Sequence, residues 1–91
     1  MNLMVKLAIP VIGKVLLGNN WQSAINKVSE LASDTTMSGK EKWAVVEQML
    51  IDAGMKTASI VVELAISLVL NYCANAGLVR LDENGKIVGA S

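Results

Sequence analysis

The sequence predicts an all-α protein, a small helical bundle of three to four helices with a candidate short C-terminal β-hairpin. Three observations predict it. Apolar residues recur at helical spacing through 21–32 and 43–53. Residues 58–75, ASIVVELAISLVLNYCAN, form a long aliphatic run with one charge, Glu63. Asn84-Gly85 stands between two short apolar stretches, the strongest local hairpin signal. The chain of 91 residues reads as a single domain: an amphipathic N-terminal helix (1–18), a helical core (20–76) and a hairpin tail (77–91).

The N-terminal segment has apolar residues at Leu3, Met4, Leu7, Ile9, Val11, Ile12, Val15, Leu16 and Leu17. Asn2, Lys6, Pro10, Lys14 and Gly18 recur four apart on the other side. This is an amphipathic helix, or two short pieces meeting near Pro10, because a proline inside a helix removes one backbone bond and crowds the preceding turn. Gly18 supplies a stop. The segment is shorter than the roughly twenty apolar residues of a membrane span. The residues after it make a poor cleavage site, so no cleavable signal peptide is expected.

Asn19-Asn20 are good N-cap residues, and Trp21, Ala24, Ile25, Val28, Leu31 and Ala32 then share one helical face. Gln22, Asn26, Glu30 and Asp34 point away, and Ser33–Thr36 make a loop. Ser38-Gly39-Lys40-Glu41 is an S-x-x-E capping box. The helix behind it runs to about Ala53 and buries Trp43, Val46, Met49, Leu50 and Ala53, with Gly54 as its stop. Thr57 or Ser59 caps the long aliphatic helix, which ends before Gly77. Short loops make consecutive helices roughly antiparallel neighbours. Trp21 and Trp43 are expected in the core, packed on each other across the helical hairpin. The tail is expected to fold back as a small appendage or to pair as an edge strand with a neighbour.

The long helix carries a polar stripe, Ser59, Glu63, Ser67 and Asn71, continued by Asn75. Residues four apart drift by about 40° per step, so the stripe is narrow and the remaining surface needs a cover. That cover is a core, an oligomer or lipid. With 53% hydrophobic residues and no Phe, the chain has surplus aliphatic surface for its size. The expected membrane or subunit contacts are Leu3, Leu7, Val11, Val15 and Leu16 on the first helix, with Ile60, Leu64 and Leu68 on the last. Glu63 lies either at a subunit contact or polar channel, or at the solvent surface; the solvent reading is the simpler.

No enzyme is expected. Histidine is absent, which removes the commonest general acid–base group and metal ligand at neutral pH. Cys73 stands alone, so neither an intrachain disulfide nor a cysteine zinc site can form, and its aliphatic setting makes it a buried apolar residue. No cofactor, metal or small-molecule substrate is implied. Eight basic residues are scattered and balanced by eight acidic ones, so no nucleic acid partner is expected.

Residues 38–72 carry a basic capped start (Lys40-Glu41-Lys42), a helix through Val46 and Met49, an Ala53-Gly54 stop, and then Val62-Glu63-Leu64-Ala65-Ile66. This plan resembles the C-terminal region of small bacteriophage holins of the superfamily-6 type. The resemblance covers about a third of the chain. The family places a full transmembrane helix near its N-terminus, where this chain has the shorter, lysine-bearing segment 3–17. The resemblance implies a phage protein that oligomerises at the host cytoplasmic membrane and permeabilises it for lysis. Two other expectations stand beside it: a virion structural subunit (capsid decoration, tail or ejected component) and a soluble inhibitor or adaptor of a host protein. The expected partners are accordingly a homo-oligomer, a membrane surface or other virion proteins, at the periphery of the host cytoplasmic membrane or in the virion.

Overall fold

The end of each helix is written into its backbone chemistry. At Gly18 (φ 56°) the amide donates to the Lys14 carbonyl at 2.8 Å, a left-handed cap that a Cβ would penalise. At Gly77 (φ 78°) two bonds form, from the Gly77 amide to Ala74 O and from the Leu78 amide to Cys73 O, the double closure of a Schellman turn. The computed structural model, which describes residues 3–54 and 60–90, thus runs α1 (Leu3–Leu17), α2 (Asn20–Ala32), α3 (Gly39–Asp52), α4 (Ile60–Asn75), β1 (Val79–Leu81) and β2 (Ile87–Ala90). It is an all-α bundle with a short antiparallel hairpin. The proposed cap of α4 by Thr57 or Ser59 falls outside the described residues.

Starts follow the same logic, with one correction. Ser38 Oγ accepts from the Glu41 amide at 3.1 Å and Glu41 Oε1 accepts from the Ser38 amide at 3.2 Å, completing the capping box that the sequence predicts. Asn19, by contrast, makes no side-chain cap to α2. Its backbone is already helical, and the Trp21 amide donates to Gly18 O instead, so the turn after α1 leads directly into α2. Pro10 neither starts nor splits α1, which is one helix from Leu3 to Leu17.

The core is built from Trp21, Ala24, Ile25, Val28, Leu31 and Ala32 of α2, Val46 and Leu50 of α3, and Val62, Ala65, Ile66, Val69, Leu70 and Cys73 of α4. The first two helices are not simple antiparallel neighbours. The chain turns by 114° between α1 and α2, and α1 makes its most extensive contact with α4. Gly13 lets α1 close on α2 as well: a Cβ there would lie inside the Trp21 indole. Trp21 meets Tyr72 edge to face, ring centroids 5.4 Å apart, rather than packing on Trp43. Trp43 is half-buried beneath the Lys86 ammonium, 3.8 Å from its ring centroid. Ala53, expected inside, is exposed at the end of α3, while Lys42 is buried.

The hairpin is part of the core rather than an appendage. Val79 and Ile87 are buried, and the strands pack on α2, α3 and α4. Its register pairs Val79 with Ala90, Arg80 with Gly89 and Leu81 with Ile87, with a bulge between Arg80 and Leu81. The Asp82 carboxylate accepts from the amides of Asn84 (2.9 Å) and Lys86 (3.0 Å) and so organises the turn.

Candidate functional site

α1 is aliphatic on both sides, and the structure uses only one of them. Ile9, Gly13 and Leu17 face the interior, with Leu16 half-buried beside them. Met4, Leu7, Val11 and Val15 fall within an arc of about 80° on the opposite side. They are exposed to 80%, 63%, 63% and 80%. Leu3, Val5 and Ile12 flank them, also exposed. The first turns of α4, the helix against which α1 packs, add Ile60, Val61 and Leu64. Elsewhere among the described residues, large exposed apolar side chains are confined to Leu78 and Val88 on the hairpin.

Of the eight expected contact residues, Leu3, Leu7, Val11, Val15, Ile60 and Leu64 lie on this face. Leu16 and Leu68 are half-buried and pack against the chain's own core. Met4, Ile12 and Val61 belong to the face as well. The signal for Met4 and Ile12 in the sequence is that α1 lacks any polar residue between its two aliphatic sides except along the line of Lys6, Pro10 and Lys14.

The polar stripe divides along its length. Ser59 lies outside the described residues. Glu63 is exposed in the protomer, so its carboxylate needs no interior partner there. Ser67 and Asn71 are half-buried, and Asn71 Nδ2 donates to the Ser67 carbonyl one turn back, at 2.8 Å. The outward side of α4 therefore changes from aliphatic with one carboxylate at its start to amide and hydroxyl at its end. Within the protomer the core covers Val62, Ala65, Ile66, Val69 and Leu70 but leaves Ile60 and Leu64 exposed.

Charged chemistry is sparse around this face. Among the described residues the one ion pair is Lys27–Glu30, at 3.4 Å on α2. Lys14 and Glu63, beside the exposed aliphatic residues, form no ion pair among the described residues. The Asp34 carboxylate is held below its usual range, first by the Thr36 hydroxyl and then by the Thr36 amide, with a smaller contribution from Lys42; these bonds tie the α2–α3 loop. Burial pushes the Cys73 thiol up to about 11, the behaviour of an inert apolar residue. A shallow groove of about 400 Å³ lined by Lys27, Val45, Gln48, Met49 and Asp52 opens between α2 and α3. No group of three or more His, Cys, Asp or Glu gathers into a metal-binding cluster among the described residues.

No single helix among the described residues is long and apolar enough to cross a membrane. α1 and α2 reach that length and composition only together, across their 114° bend. Comparison of the chain with protein-family models, curated proteins and solved structures returned no match.

Proposed function

We propose that the protein is a non-catalytic, phage-type assembly subunit that acts through the aliphatic face of α1 and the start of α4. The observation that carries this reading is the concentration of ten bare aliphatic side chains on two adjacent helices. Soluble monomers rarely expose a contiguous apolar patch beyond about 300–600 Å², and larger ones mark contact surfaces for protein or membrane. The resemblance of residues 38–72 to superfamily-6 holins supports a setting at the host cytoplasmic membrane, with the oligomer permeabilising it for lysis. In that setting α1 lies along the membrane plane, since its 15 residues are too few to span upright.

A second reading, a virion structural subunit, is favoured by a specific observation. The three aromatic residues are buried or half-buried, so the exposed face lacks the Trp and Tyr that typify lipid-interface surfaces. Fractionation of the untagged protein expressed in bacteria, with a carbonate wash of the membrane pellet and sizing of the soluble part, separates the two. Retention in washed membranes that is lost on Leu7→Glu supports the holin-like setting. A soluble oligomer of defined mass supports the virion setting, and a soluble monomer removes the assembly reading altogether.

A further inference from the structure

We infer that the α1 face is covered by the same face of a second copy of this chain, across a two-fold axis, with Lys14 of each copy meeting Glu63 of the other. The inference rests on the assembly reading above, in either setting. Its first support is area. The ten aliphatic residues of the face expose on the order of 1,000 Å², against the roughly 800 Å² per partner that a stable protein interface buries.

The second support is shape. Met4, Ala8, Val11 and Val15 are spaced four, three and four apart, the repeat of a helix–helix seam. Ala8 is small enough to let two α1 helices approach closely. The third support is charge. A two-fold interface must complement itself, because the same patch occurs on both sides. Lys14 sits about 20° from Leu7 on the helical wheel, at the edge of the ridge, and Glu63 lies on the exposed side of the first turns of α4. Neither has a salt-bridge partner among the described residues. Opposite charges with no ion pair among the described residues are available to pair between two copies, and such pairs fix register and exclude misaligned partners.

Sedimentation of the full chain over a concentration series, without detergent, reads the assembly. The expected result is a species of twice 9.7 kDa that dissociates on dilution. Val15→Glu, at a position 80% exposed, should give a folded monomer by circular dichroism. Lys14→Glu and Glu63→Lys should each weaken the dimer by at least about tenfold, and the double variant should recover most of that loss. A dimer indifferent to Val15→Glu overturns the interface while leaving assembly intact. Additive losses in the double variant overturn the Lys14–Glu63 contact. A monomer that floats with phosphatidylethanolamine–phosphatidylglycerol vesicles, and loses them on Val15→Glu, assigns the face to lipid and overturns the second copy. A monomer that ignores vesicles overturns this inference and the assembly reading together.

Discussion

The indole of Trp21 occupies the space where Gly13 would carry a side chain, and this contact seats α1 on the bundle. Gly13→Ala is therefore expected to destabilise the fold by about 1–3 kcal/mol through overpacking, despite the better helix propensity of alanine. Urea unfolding followed by tryptophan fluorescence checks it. An unchanged or raised midpoint would mean that α1 is not held against Trp21.

Gly39 marks a second close approach, between the first turn of α3 and the hairpin. A Cβ there would sit 2.7 Å from the Ile87 carbonyl oxygen and 2.9 Å from Lys86 Cβ. Gly39→Ala should push β2 away from α3 and disturb the Lys86–Trp43 stacking. Hydrogen exchange is expected to accelerate in residues 79–90 more than in α2. Uniform acceleration would argue against a local clamp.

The capping box gives a smaller and cleaner effect. Ser38→Ala should cost about 1 kcal/mol by leaving the Glu41 amide without its acceptor. In a domain of this size that lowers Tm by about 4–8 °C. A Glu41→Gln variant should retain most of the stability, because the amide oxygen still accepts from the Ser38 amide.

Cys73 sets an alkaline limit. Burial raises its thiol from 9.0 to about 11, so between those values the folded state keeps a proton that the unfolded chain has lost. The folded state binds more protons in that window, and stability falls as pH rises through it; below pH 9.0 the contribution is present in full. Urea midpoints measured across this range should decline, and Cys73→Ala should flatten the part of the slope due to the thiol. A thiol reagent should label the native protein only as fast as it opens.

Much of the fold is legible in the sequence because it is locally encoded. The capping box at Ser38, the stops at Gly18, Gly54 and Gly77 and the Asn84-Gly85 turn each need only a few neighbouring residues, and the one-sided face of α2 needs only its own periodicity. What escapes is long-range choice. Trp21 pairs with Tyr72, about fifty residues away, and nothing local distinguishes that partner from Trp43. Likewise Ile9, Gly13 and Leu17 are no more apolar than Met4, Val11 and Val15, so hydropathy does not say which side of α1 turns inward. Steric fit decides, through a glycine that admits an indole. The same ambiguity is why the exposed face is only partly foreseen, and why Leu16 and Leu68 serve the interior instead.

The extensive packing of α1 on α4 joins the two helices farthest apart along the chain. Closing so long a loop is costly in chain entropy and delays the contact relative to those between neighbouring helices. α1 is thus expected to be the last helix to dock and the first to come loose. During that interval both of its aliphatic sides are bare, and a newly made chain is then at its most adhesive. Whatever finally covers the outer side must compete with other unfinished copies, so the yield of properly assembled protein should fall as the rate of synthesis rises.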